Sequence, residues 1–200
     1  MMRGRPRKTD PEEVLATAMN LFWEKGYNAT SMNDLATATG MAKPGLYATF
    51  GDKEALYTKA LAFYFNELGS QPLVDLVQSP YPVDKAIRQF LNTVAASILD
   101  DSHPIGCFVL NNIIDYKNKP APLDGLTRNI DNERRVAFLE RLKIAKKKGE
   151  LPNSTDEEAL AGFFAGQTLA LAVMGCAGAG AKNMKSFIDV AMTVLPKVKK

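Results

Sequence analysis

The sequence predicts an all-α protein. Three observations carry that expectation. Apolar residues recur at three- and four-residue spacing in one segment after another, most segments open or close on recognisable start and stop residues, and no stretch sustains the period-two alternation of a half-buried strand. The expected layout is an N-terminal three-helix unit over residues 1–52 and a larger helical domain over residues 53–200, about nine helices in all.

Asp10 before Pro11, with Glu13 three residues on, is a helix start, and Gly26 is its stop, giving a first helix over about 11–25. Thr30 or Ser31, with Asp34 three after Ser31, starts a second, which carries Met32, Leu35 and Ala36 on one face and ends near Gly40. A third runs from about Lys43 to Phe50, and Asp52 caps a fourth that continues to about Leu68. The stretch "GSQPLVDLVQSPYP" reads as a linker with at most one helical turn. Helical patterns return at about 83–101, 105–117, 123–148, 156–178 and 183–195.

With 200 residues, 46% of them hydrophobic, the chain can bury a substantial core. The opening "MMRGRPRKTD" lacks the apolar run of a signal peptide, so the expected compartment is the cytoplasm. The two cysteines, Cys107 and Cys176, are far apart and have no CxxC spacing, which argues against a disulfide framework or a zinc site and for buried thiols. The single histidine, His103, sits beside Pro104 without a nucleophile motif, and there is neither a glycine-rich phosphate loop nor a metal-ligand cluster. No enzyme activity, metal or cofactor is expected. Residues 159–181 are uncharged and long enough to cross a bilayer, but they are mostly alanine and glycine around Gln167 and Thr168, so they are expected to form a helix buried in protein.

The net charge of +3 is modest, and its distribution is more informative. Arg3, Arg5, Arg7 and Lys8 form a basic arm around Gly4 and Pro6, of a kind that can lie in a minor groove, whereas Lys146–Lys148 and the tail lysines are expected to be solvated.

Helices two and three have the spacing of a helix-turn-helix. Ala36 lies four residues before Gly40, Leu46 lies six after it, and about three residues join the helices. Pro44 is tolerated in a first turn, and Gly45 leaves no side chain between the backbone and whatever the helix approaches. Lys43 and Lys53 both open helices, where the macrodipole disfavours a cation by a few tenths of a kcal/mol. A DNA phosphate would reverse that sign, whereas either lysine alone could simply face water.

The stretch "ATAMNLFWEKGYNATSMNDLATATGMAKPGLYATFGDKEALYTKAL", within residues 4–64, resembles the DNA-binding region of the TetR family of bacterial transcriptional regulators, with Gly26, Tyr27, Thr30, Ala36, Gly40, Leu46, Tyr47, Phe50 and Lys53 in register. "PIGCFVLN" at 104–111 resembles one branch of that family less specifically. The resemblance implies a homodimer on a partly palindromic double-stranded operator, acting as a repressor that a small-molecule effector releases. Residues 1–52 would bind DNA, and 53–200 would bind the effector and dimerise. It implies phosphate contacts from Thr30 and Ser31 and a base contact from Asn33. Lys43, Pro44, Gly45 and Thr49 would face the major groove, with Tyr47 and Lys53 on the backbone and Arg5 and Arg7 in the arm. Ala48 departs from the larger aromatic residue often found there.

Two further sets follow from composition. Aromatic residues on successive helices, Phe63, Phe90, Phe108, Tyr116, Phe138 and Phe163, are candidates with Cys107 for an effector pocket between facing helices. The small or apolar residues Gly162, Gly166, Ala170, Val173, Phe187 and Ala191 are candidates for the dimer interface. Two alternatives to effector release are a switch by thiol modification at Cys107 and an architectural DNA binder that senses nothing.

Overall fold

The computed structural model describes residues 10–109 and 121–198. Arg5, Arg7 and Tyr116 lie outside the described residues. The described chain is helical, and it divides into two compact units, one up to Tyr64 and one from Phe65.

The first unit contains α1 (Pro11–Lys25), α2 (Met32–Thr39), α3 (Lys43–Phe50) and α4 (Lys53–Tyr64). The ends of α1 and α2 fall where the sequence places them, because each is made by a capping side chain or a glycine within four residues, whereas α4 ends at Tyr64, short of the expected Leu68, where a π-helical turn begins. The Asp10 carboxylate accepts from the Glu12 N–H at 3.0 Å, and the Gly26 N–H, at φ 78°, closes α1 on the Phe22 carbonyl at 2.8 Å. Gly40 ends α2 in the left-handed region at φ 67°, a conformation that costs glycine nothing.

The expected domain boundary at 52/53 is corrected to 64/65. α4 packs along α1, so the N-terminal unit is not closed without it. Phe22 meets Tyr57 edge-on at 4.7 Å, Trp23 meets Tyr64 edge-on at 4.9 Å, and Leu35, Leu46, Leu56 and Leu61 are fully buried. Each such leucine contributes about 1.5–3 kcal/mol of burial.

The second unit opens on a π-helical turn, Phe65–Gly69, that leads into α5 (Ser70–Gln78). The expected linker is therefore a helix over most of its length. Pro72 falls in its first turn, where a proline is tolerated, and burial of Leu73 and Leu76 three residues apart supplies the stability that its turn-forming composition lacks. Then come α6 (Val83–Ile98), α7 (Ala121–Lys147), α8 (Glu157–Cys176) and α9 (Ala181–Ala191), the last followed by a 3-10 turn at Met192–Val194. The helix expected at 105–117 lies outside the described residues beyond 109.

Phe90, Phe138 and Phe164 bring α6, α7 and α8 together: Phe138 meets Phe90 edge-on at 5.1 Å and stacks on Phe164 at 5.8 Å. α8 is long and apolar enough to cross a bilayer, and in this fold it packs against α7 and α6. At Gly175 a side chain would overlap Ile98, so glycine sets the approach of α8 to α6. Arg141 on α7 is fully buried, its Nη2 donating to the Tyr81 carbonyl at 2.6 Å and lying 3.5 Å from Glu150. Glu150 in turn accepts from the Val83 N–H at 2.6 Å, capping α6 from 67 residues away.

Candidate nucleic-acid interface

α3 is the centre of the candidate interface. Leu46, fully buried, and Phe50, 5% exposed, seat one side of it in the core. That leaves Lys43, Pro44, Tyr47, Ala48 and Thr49 exposed on the rest of its surface, with Gly45 half-buried. Tyr47 is half exposed, an uncommon position for a large aromatic ring on a short helix. A ring and a cation on one exposed helix surface suit a groove, where the ring covers sugar and the cation meets phosphate.

α3 is held at both ends by backbone geometry. Its start has no side-chain cap, and the Gly45 and Leu46 N–H groups bond the Ala42 carbonyl at 2.8 and 3.1 Å. Its end is closed by the Gly51 N–H on the Tyr47 carbonyl at 3.0 Å. The Lys59 ammonium reaches across from α4 to donate to the Phe50 carbonyl at 3.1 Å, a cation on the negative end of the helix dipole. Sequence reasoning missed Lys59, because a nine-residue separation across two helices leaves no periodic signal.

α2 precedes it with a complete capping box. The Ser31 N–H and hydroxyl both donate to the Asp34 carboxylate, at 2.8 and 2.6 Å, and Ser31 Oγ accepts from the Asp34 N–H at 3.2 Å. Those bonds from Ser31 hold the Asp34 carboxyl below its ordinary range. Ser31 is exposed, but its one hydroxyl proton is already committed to Asp34. Asn33 is exposed on the first turn of α2.

Thr30 is corrected. It is 1% exposed, and its hydroxyl donates to the Gly26 carbonyl at 2.7 Å, so it fastens the α1–α2 turn and offers nothing to a phosphate.

Lys53 opens α4 with its ammonium 4.2 Å from the centroid of the Tyr27 ring. Burial lowers its pKa, and burial followed by Glu54 and Asp52 raises that of Tyr27. The lysine is thus a partly desolvated cation aimed by an aromatic ring, a better phosphate partner than a fully hydrated one.

In the second unit the expected pocket residues separate. Phe108 and Phe138 are fully buried core, Phe163 is half-buried against Phe164, and Cys107 is half-buried. Phe63 is half-buried on α4 of the first unit. Among the described residues of the set, only Phe90 lines the cleft of about 330 Å³ between α5 and α6, with Leu76, Tyr81 and Ala86. Phe108 and Phe138 fill the bundle instead, because large rings on successive helices pack against one another before they line a hole.

The expected interface residues also divide. Gly162 and Val173 are exposed, Gly166, Ala170 and Phe187 are half-buried, and a Cβ at Gly162 or Gly166 would meet nothing within 4 Å among the described residues. Ala191 is corrected: at 4% exposed, it faces the interior of its own chain, whereas Val190, 69% exposed, carries the outward surface of α9.

Residues 14–60 match the model of bacterial regulatory proteins of the tetR family, and residues 82–188 match the tetracyclin repressor-like C-terminal domain. The HTH-type transcriptional repressor ComR of Escherichia coli is 27% identical over 99% of this chain and 94% of its own length. The repressor BdcR of the same organism is 33% identical over 55% of each chain. Among solved structures, the TetR family regulator CifR, as a cysteine mutant in complex with a 26-base-pair operator, superposes with a TM-score of 0.85 at 27% identity, covering 96% of this chain and all of that one. A TetR regulator of a Rhodococcus species is 30% identical over 92% of this chain and 98% of its own, with a TM-score of 0.63. The exposed α3, the capped α2 before it and the two matched domains lead to one conclusion: the chain belongs to the TetR family of bacterial regulatory proteins and is a DNA-binding regulator of transcription rather than an enzyme.

Proposed function

We propose that the protein is a cytoplasmic, homodimeric repressor that reads a partly palindromic operator through α3 and is released from it by a small molecule bound in the second unit. The observation that carries the reading is the exposed surface of α3, where Lys43, Tyr47 and Thr49 surround Gly45 on a helix fixed by Leu46 and Phe50. Lys43 and Thr49 would meet base edges, Asn33 on α2 would add another, and Tyr47 and Lys53 would hold the backbone. Repression is supported by the names of ComR and BdcR.

Dimerisation is supported by the uncharged outer surface of α8 at Gly162, Gly166 and Val173, joined by Phe187 and Val190 on α9. A two-fold pair would place two α3 helices about 34–36 Å apart, one turn of duplex. Effector binding is supported by the cleft between α5 and α6. Leu76, Tyr81 and Phe90 give it apolar walls of a size suited to a small organic molecule.

The test is selection of bound duplexes from a random pool by the purified protein. A partly palindromic consensus is expected, with binding lost in Lys43→Ala and weakened in Tyr47→Phe. Enrichment of no sequence, or binding unchanged from wild type in both variants, would refute the assignment of α3.

A further inference from the structure

The only two cysteines of the chain, 69 residues apart in sequence, are brought together by the fold. Gly106 adopts φ 94°, and a Cβ there would stand 2.5 Å from the Cys176 sulfur, so the thiol at the end of α8 fills the space a side chain at 106 would need. Cys107 is the next residue, one peptide step of about 3.8 Å along the chain. Cys176 is exposed and Cys107 is half-buried.

We propose that Cys107 and Cys176 are an oxidant-sensitive dithiol that closes an intrachain disulfide and thereby weakens operator binding. The effect on DNA rests on the function proposed above; the disulfide itself does not. A disulfide needs its Cα atoms about 4.4–6.8 Å apart, and a segment turning on a glycine with positive φ can supply the adjustment.

The oxidant class is a hydroperoxide. The exposed Cys176 thiolate attacks the distal oxygen, an S–O bond forms, the O–O bond breaks, and the oxygen that leaves takes up a proton as water or alcohol. The Cys107 sulfur then attacks the sulfenic sulfur, the S–S bond forms, the S–O bond breaks, and water leaves. Two sulfur atoms together give up two electrons, and one hydroperoxide accepts them. The bond would tie the end of α8, whose outer surface is the proposed dimer contact, to the segment that precedes Phe108.

The experiment treats the reduced full-length protein with hydrogen peroxide, alkylates what remains as thiol, and measures intact mass, mobility without reductant and affinity for the selected operator. The expected result is a monomer-sized chain two hydrogens lighter with no alkyl group added, a cross-linked peptide joining Cys107 to Cys176, and a loss of operator affinity on the order of 5- to 150-fold that a thiol reductant reverses. Cys107→Ser should instead accumulate a sulfenic acid at Cys176, trapped by dimedone, and keep its affinity. Two alkylated cysteines after peroxide, or a covalent dimer in place of the intrachain bond, would overturn the dithiol. An intact disulfide with unchanged operator affinity would overturn the switch. If the reduced protein selects no DNA at all, the repressor reading fails, and the mass measurement still decides whether the pair closes.

Discussion

The Lys53 ammonium sits 4.2 Å from the centroid of the Tyr27 ring, joining the first turn of α4 to the turn after α1. Burial lowers the pKa of this lysine from its ordinary 10.5, and for a base the sign is definite. The cost of keeping it charged is present below the folded pKa and is relieved as pH rises toward the unfolded value. A phosphate restores the preference for charge, so binding takes up a proton at alkaline pH. Operator affinity should therefore fall more steeply with rising pH in the wild type than in Lys53→Arg, whose guanidinium stays charged. Lys53→Ala should weaken all sequences alike and reduce the magnitude of the logarithmic salt slope by about one. Fluorescence anisotropy across pH and salt measures both, and parallel pH curves for wild type and Lys53→Arg would contradict the account.

Thr30→Val separates a fold role from a DNA role. The hydroxyl bond to Gly26 is buried, and its loss should cost roughly 0.5–1.5 kcal/mol of stability. The folded fraction should bind the operator with unchanged affinity, as denaturant melts paired with titrations will show. A large affinity loss at full folding would return Thr30 to the interface.

The capping box at the start of α2 makes the N-terminal unit acid-sensitive. The Asp34 carboxyl is held below its ordinary 3.8 by the bonds from Ser31, so its stabilising contribution is present above that value and is lost as pH falls through the lower, folded pKa. Asp34→Asn should flatten that part of the pH–stability curve. Ser31→Ala should cost about 0.5–2 kcal/mol at neutral pH. Urea melts between neutral pH and strong acid test both.

Gly45→Ala should leave the protein at least as stable and still weaken DNA binding. A Cβ at 45 would approach Met41 Cγ at 3.1 Å, a contact a flexible methionine can relieve, and alanine gains roughly 0.5–1 kcal/mol over glycine within a helix. The methyl group would sit on the surface expected to approach the bases. Equal stability with reduced affinity is the expected pair of results in thermal melts and gel shifts.

Two glycines of α8 should respond in opposite ways. At Gly175 a methyl would overlap Ile98 within the same chain, so Gly175→Ala should cost roughly 1–3 kcal/mol of stability. A Cβ at Gly166 would meet nothing within 4 Å beyond its own helix backbone among the described residues, so Gly166→Glu should leave the chain folded and block its pairing. Sedimentation should show a wild-type dimer and a Gly166→Glu monomer or aggregate; a wild type that is monomeric at micromolar concentration would remove the assembly.

The sequence by itself determined the N-terminal unit. Asp10, Gly26, Ser31 with Asp34, Gly40 and Asp52 begin or end helices through bonds that span at most four residues, and such bonds are visible in the order of residues alone. The same local grammar exposed α3 as the candidate recognition helix. It misread α5, because the turn formers Gly69, Ser70 and Pro72 carry the local signal while the burial of Leu73 and Leu76 comes from packing against α7. Only the tertiary structure decided which atoms of the candidate residues are available. It turned the Thr30 hydroxyl inward, put Ala191 in the core, moved the unit boundary past α4, packed Phe108 and Phe138 as core and seated the Cys176 sulfur against Gly106. Each of those outcomes depends on which faces of distant helices meet, and helical periodicity shows that a face is apolar without showing what covers it.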